Sequence, residues 1–147
     1  MKKITILFLS VMTLGLSVTS CSSDDDDDSA SIVGKWEYTK EGYSVAGQED
    51  LEDYEHLTQC GRDNIEFLTD GSFKTQFFEI EEEECITQNG NGEYVRDGKK
   101  LTIKGTEEDP EESVSEILFI DENTLKIKTD VTFEGQTFSE ISVFKKI

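Results

Sequence analysis

Leu125-Lys126-Ile127-Lys128-Thr129-Asp130-Val131-Thr132-Phe133 decides the fold. Leu125, Ile127, Val131 and Phe133 alternate with Lys126, Lys128, Asp130 and Thr132. An extended chain with that period has one dry face and one wet face. Asp121-Glu122-Asn123 turns the chain before it, and a strand over Thr137–Lys146 returns after it. A two-residue loop at Gly135-Gln136 would set Ile127 opposite Phe144 but Val131 opposite Glu140. A three-residue loop, Glu134-Gly135-Gln136, would set Ile127 opposite Val143 and Thr129 opposite Ile141. The second keeps the apolar residues together and is preferred; it turns Phe138 and Phe144 outward.

The same signals recur upstream, each extended run bounded by turn residues. Strands are expected at Gly34–Val45, Asn64–Leu68, Phe73–Ile80, Gly92–Arg96, Lys100–Lys104, Val114–Ile120 and Leu125–Phe133. Asp70-Gly71 and Asp97-Gly98 supply tight turns, the first of them read as type I′. Residues 50–58 form a loop with some helical character, and the acidic run Glu81–Glu84 ends a strand. With the last strand there are eight, joined by short connections. The fold class is therefore all-β, an eight-stranded antiparallel up-and-down barrel, since closure removes the exposed edges of such a meander.

About 117 of the 147 residues remain if folding starts at Ser31, enough for one domain with a modest core. Charged residues make up 32% of the chain and the net charge is −19. Such a surface repels phosphate backbones, which excludes nucleic acid as a partner and argues against docking on anionic lipids by charge alone.

The first strand opens with Gly34-Lys35-Trp36, and Trp36 is the sole tryptophan. This resembles the Gly-x-Trp motif of lipocalins. In that family the tryptophan plugs the closed end of an eight-stranded barrel, so the resemblance assigns Gly34 and Trp36 that role. The pattern Cys60…Asp63-Asn64-Ile65-Glu66-Phe67…Asp70-Gly71-Ser72-Phe73…Cys85…Gly92-Glu93-Tyr94 looks like the short lipocalin-like domains of bacterial lipoproteins. The likeness extends from about Ile32 to Ile147. Departures are a missing Thr-Asp-Tyr motif and the missing late arginine that covers the tryptophan; Lys145 or Lys146 is expected to replace that cation. The chain is short, so Phe67, Phe73, Phe77, Phe119 and Phe133 are candidates to fill the interior.

Residues 1–20 have the layout of a secretory signal: Lys2 and Lys3, then an uncharged apolar run from Ile4 to Leu16. Val18-Thr19-Ser20-Cys21 resembles the lipobox of bacterial lipoproteins, which implies acylation (palmitate) of Cys21 and a membrane anchor. Residues 21–30 hold five adjacent aspartates, Asp24–Asp28, and nothing apolar to bury, so they form a solvated tether. An acidic tag at that position resembles the export signals of surface lipoproteins in some Gram-negative gut bacteria. It implies the cell-surface side of the outer membrane. The folded domain is assigned to residues 31–147.

With Cys21 acylated, Cys60 and Cys85 remain in an oxidising compartment and are expected to form a disulfide. In the hairpin turning at Asp70-Gly71, Cys60 would face Glu81, an offset a loop or bulge can absorb. A zinc site in their place lacks ligands, having only His56 nearby.

No cofactor or metal site is expected. His56, the only histidine, reads as a solvated loop residue, and neither a phosphate-binding loop nor a nucleophile elbow is present. Carboxylates abound, but they cluster in runs such as Glu81–Glu84 and Glu107–Glu112, the pattern of a solvated rim. Three functions compete. The first is a binding barrel taking a small apolar or amphipathic ligand, with Tyr43, Tyr94, Phe67 and Phe77 as lining residues and Tyr54 as a further candidate for the mouth. The second is an interaction module with a filled barrel in a surface lipoprotein assembly, using Phe78, Phe138 or Phe144 on its outer wall. An enzyme, needing paired carboxylates in a cleft, is third, and the chain is read as non-enzymatic.

Overall fold

The computed structural model describes residues 30–104, 112–133 and 135–147, apart from the Phe133 side chain. Cys21, the tether and most of the Glu107–Glu112 loop lie outside them. Nine strands follow one another: β1 (Gly34–Val45), β2 (Gln48–Asp53), β3 (Asn64–Phe67), β4 (Ser72–Glu81), β5 (Glu84–Asp97), β6 (Lys100–Lys104), β7 (Glu112–Ile120), β8 (Thr124–Phe133) and β9 (Gln136–Lys146). Among the described residues there is no helix.

From β3 to β9 each strand pairs antiparallel with the next, and β9 pairs with β1 to close the ring. β1 is shared along its other edge. Its first residues, Gly34–Glu37, pair with β3, and Lys40–Val45 pair with β2. The ring is thus a closed eight-stranded up-and-down barrel of β1 and β3–β9, and β2 continues the wall of the short β3.

Four local expectations are corrected. Residues 48–53 are a strand, held by the backbone ladder to β1 and by a Lys40–Asp53 ion pair at 2.8 Å. β5 begins at Glu84, not at Gly92, because Glu82 and Glu83 take left-handed conformations (φ 50° and 71°) and return the chain at once. The β3–β4 connection spans Thr69-Asp70-Gly71: Leu68 N–H donates to the Ser72 carbonyl, and only Gly71 has positive φ. Asp70 Oδ1 accepts from the Ser72 backbone N–H and hydroxyl, an Asx turn. In the last hairpin Phe133 pairs with Gln136, so Leu125 faces Phe144 and Ile127 faces Ser142. That register turns Phe144 inward, where it is 2% exposed.

The buried cluster gathers at one end. Ile32, Trp36, Ile65, Phe67, Phe73, Leu101, Ile117, Ile120, Leu125 and Phe144 pack together, and Ala30 and Tyr94 lean on them. Of the expected fillers, Phe67 and Phe73 join this cluster, Phe77 packs against Tyr38 instead, the Phe133 side chain lies outside the described residues, and Phe119 is turned out. A bulge between Ile117 and Phe119 puts it opposite Lys126 on the outer wall, half exposed.

Trp36 is fully buried, and its indole N–H donates to the Ile32 carbonyl at 2.7 Å, so the chain entering β1 seals the floor. Lys146 Nζ lies 5.0 Å from the indole centroid, supplying the expected cation. The glycine of Gly34-Lys35-Trp36 has two causes: φ is +133°, and a Cβ there would come within 2.6 Å of Lys146 Cε.

Candidate functional site

The candidate site is the open half of the barrel. Strand register makes the inner face climb from dry to wet. One inward row starts at buried Leu101, passes Ser115 and Thr129, and reaches Glu140 and Tyr43 at the rim. The Ser115 and Thr129 hydroxyls bond each other at 2.7 Å, which satisfies Ser115 despite its burial. The row from Ile127 runs through Ser142 to Glu41 and Glu52. A recess of about 230 Å³ is lined by Glu41, Tyr43, Glu52, Glu140 and Ser142, among others.

Between this polar half and the closed end lies an aromatic layer. Tyr38 is its centre, with ring centroids 4.4 Å from Phe144, 4.9 Å from Tyr54 and 5.8 Å from Phe77. Burial, helped by Asp63 and Glu41, pushes the Tyr38 hydroxyl up to about 12. Tyr54 is raised too, by burial first and then by the Asp63 carboxylate that accepts its hydroxyl.

The loop from Tyr54 to Asp63 fixes one side of this layer. Asp63 is 6% exposed, and both its oxygens are used: Oδ2 accepts from the Tyr54 hydroxyl at 2.7 Å and Oδ1 from the Phe78 backbone N–H at 2.8 Å. His56 was expected in solvent but is half-buried. Its Nδ1 accepts the Asp63 backbone N–H at 3.1 Å, which leaves Nε2–H to donate to the Tyr38 carbonyl at 2.8 Å. That bonding requires the neutral imidazole. Outside, the Phe78 ring lies where a Gly61 side chain would be, 2.3 Å from the Cβ position. The Cys60–Cys85 disulfide ties the loop to the β4–β5 hairpin, with Cα atoms 5.4 Å apart. The loop therefore stands in for the missing upper part of β3.

The structure separates the four residues proposed to line a site. Phe67 and Tyr94 pack against each other at the closed end, centroids 4.9 Å apart, and the Tyr94 hydroxyl donates to the Leu68 carbonyl. Phe77 belongs to the aromatic layer. Tyr43 stands at the rim, 54% exposed, edge-on to Phe138 at 5.6 Å. Tyr38, Tyr54, Asp63 and His56 hold the layer in place; of these only Tyr54 was a candidate for the mouth. Tyr38 was legible as the inward residue two after Trp36; Asp63 and His56 carried no local signal for this role. Phe78, Phe138 and Phe144 form no common outer patch, for the first covers Gly61, the second Tyr43 and the third the core.

Asp63 is committed to Tyr54 and Phe78, and Glu41, Glu52 and Glu140 are exposed. Among the described residues no group of three or more His, Cys, Asp or Glu side chains could hold a metal ion.

No curated protein matches the chain in sequence. Its backbone is similar to solved lipocalins at low identity. A deswapped triple mutant of bovine odorant binding protein aligns at 16% identity and TM-score 0.45, covering 78% of this chain and 72% of that one. The bovine lipocalin allergen Bos d 2 aligns at 15% and 0.46, covering 84% and 75%. Aphrodisin, a sex pheromone from female hamster, aligns at 14% and 0.45, covering 80% and 76%. The family model of the lipocalin-like domain matches residues 32–127, more than half the chain. The chain therefore belongs to the lipocalin-like domain family.

Proposed function

We propose that the protein is an outer-membrane lipoprotein, acylated at Cys21 and exposed at the cell surface, whose barrel takes a small apolar or amphipathic molecule into its open end. The aromatic layer of Tyr38, Tyr54, Phe77 and Phe144 carries this reading. It offers a ligand an apolar floor between a packed end and a polar mouth. A ligand tail would rest on those rings, and its polar end would lie among Glu41, Tyr43, Glu140 and Ser142. The carboxylates there disfavour an anionic head group and favour a neutral or cationic one.

Titration of the soluble domain with an environment-sensitive fluorescent probe, one neutral and one bearing an amine, tests the pocket. Phe77→Ala is expected to weaken binding several-fold while leaving the fold intact, and the amine probe should bind more tightly. Binding unchanged by Phe77→Ala would reject the site. Mass spectrometry of the N-terminal peptide tests the anchor: a diacylglyceryl cysteine is expected, and release of a Cys21→Ser variant from membranes. Protease shaving of intact cells tests the surface location.

A second reading, an interaction module, rests on the outer wall. Val95, Val114 and Phe119 are 51%, 46% and 50% exposed on β5 and β7. Recovery of one partner protein from intact cells, lost on Phe119→Ser but not on Phe77→Ala, would favour it.

A further inference from the structure

We propose that the Tyr38 hydroxyl recognises the ligand, and that the ligand carries a neutral oxygen acceptor, such as a ketone or ester carbonyl, in the part that rests on the aromatic layer. This deepens the ligand-binding reading above and rests on it. Two observations carry it: where Tyr38 stands, and which groups around it are already bonded.

Tyr38 lies two residues after Trp36 on β1 and pairs with Phe144, which pairs in turn with Leu125. Trp36, Phe144 and Leu125 belong to the buried cluster, so the Tyr38 side chain shares their inward face. The rings of Phe144, Tyr54 and Phe77 surround it. The polar groups that hold this layer are bonded to one another. The Tyr54 hydroxyl donates to Asp63, whose other oxygen accepts the Phe78 N–H. Both His56 nitrogens are engaged, one by Asp63 N–H and one by the Tyr38 carbonyl. Farther along the wall, the Ser115 and Thr129 hydroxyls bond each other.

The Tyr38 hydroxyl is the exception. Among the described residues none hydrogen-bonds it. Nor is it sealed in, because no wholly buried side-chain oxygen or nitrogen among those residues lacks a partner. It therefore opens into the barrel, at the level where a ligand would rest.

The chemistry of the group sets what it selects. Burial first, then Asp63 and Glu41, pushes it up to about 12, so at neutral pH it keeps its proton and offers an O–H. A molecule lying on the layer strips water from that O–H. Plain hydrocarbon leaves the donor unmet, which costs affinity, whereas an acceptor replaces the bond that water made. The same two carboxylates oppose a negatively charged acceptor at this position. A carbonyl meets both demands. The Phe77 and Phe144 rings supply apolar contact for any ligand, and the Tyr38 hydroxyl discriminates among ligands.

The test uses the full chain, carrying Cys21→Ser so that no acyl chain competes for the barrel. The neutral fluorescent probe is displaced with two molecules of equal length, heptyl methyl ketone and nonane. Tyr38→Phe is expected to weaken the ketone about five- to tenfold, the worth of one hydrogen bond in an apolar site, and to leave nonane unchanged. Phe77→Ala should weaken both alike. The infrared carbonyl band of the bound ketone should lie at lower frequency than in hexane, and should return toward the hexane value in Tyr38→Phe. That variant removes no bond within the protein, so its thermal midpoint at neutral pH should match the parent's, which shows it folded. Equal loss for ketone and nonane overturns the proposal, as does no loss for either, or a carbonyl band in the parent chain that stays at its hexane value. If neither the probe nor the two competitors bind the parent chain, the ligand-binding reading falls and this inference falls with it. If all three bind and Tyr38→Phe treats ketone and nonane alike, this inference falls alone.

Discussion

The two ends of this barrel are built from the same strands and hold together for different reasons. At the floor, large side chains from β1, β3, β4 and β6–β9 close over Trp36, and burial of apolar surface supplies the cohesion. At the rim, inward positions are Glu41, Glu52, Glu140 and Tyr43. Cohesion there comes from backbone ladders, the Asp63–Tyr54–Phe78 bonds, a Lys126–Glu49 ion pair at 2.5 Å and one disulfide. A hydrophobic floor tolerates little change in any one side chain. A rim stitched by discrete bonds can lose one stitch locally.

Trp36→Ala should show the largest effect, because a fully buried indole leaves a cavity that the surrounding ring cannot collapse around. The expected loss is about 3–5 kcal/mol, read from the urea midpoint by circular dichroism. Val45→Ala at the rim, where Val45 is 67% exposed, should stay within about 0.5 kcal/mol. Equal losses at the two positions would dissolve the contrast between the ends.

Next comes the stitch itself. Replacing Cys60 and Cys85 with serine reopens a loop of 25 residues and should cost about 3 kcal/mol in denaturant stability. Hydrogen exchange sharpens the comparison. Amides of residues 54–63 should lose protection while those around Trp36 and Phe67 keep theirs in native conditions. Uniform loss across the barrel would mean that the floor depends on the rim.

The two ends also differed in how far the sequence revealed them. The floor was legible because its causes are local: alternation in β8, a glycine ahead of the only tryptophan, a lysine free to lie over the ring. The Cys60–Cys85 pair followed from compartment and hairpin geometry. The rim was not legible, because tertiary pairing overrides local preference there. Gln48-Glu49-Asp50-Leu51-Glu52-Asp53 has one apolar residue and no period, yet β1 recruits it as a strand. The strand expected from Gly92 begins at Glu84, because β4 holds residues 84–91 extended as the first half of β5. The register of the last hairpin slipped by one residue from expectation, which moved Phe144 from the wall into the core. The Asp63–His56 bonding involves residues seven apart in an irregular loop, a distance at which no periodicity speaks.

Alkali probes the boundary between the ends. The Tyr38 hydroxyl is raised to about 12, so the folded state holds that proton more tightly than the unfolded chain, whose tyrosines ionise near pH 10. The resulting stability is fully present below about pH 10 and is lost as pH climbs toward about 12. The loss amounts to about 2–3 kcal/mol. Urea midpoints measured across that range, alongside phenolate absorbance, should show it, and Tyr38→Phe should remove its share of the slope and leave the share of Tyr54, whose hydroxyl is raised as well. An unchanged slope in Tyr38→Phe would assign the alkaline transition to Tyr54, whose hydroxyl is held by Asp63 in the loop, and so to the rim.

The smallest effect asked of the floor isolates the charge that lies over its tryptophan. Lys146 reaches over the Trp36 ring with Nζ 5.0 Å from the centroid, and its stem fills the space that Gly34 leaves open. Lys146→Met keeps an unbranched stem and removes the ammonium, so only the cation–π attraction is lost, about 0.5–1 kcal/mol. Lys145→Met, exposed one residue earlier, supplies the control with no expected change. Because the attraction is electrostatic, the difference between the two variants should persist at high salt if the ammonium is screened from water by the ring and the strand end. A difference that vanishes with salt would mean the lysine merely drapes over the floor, and that the stem alone closes it.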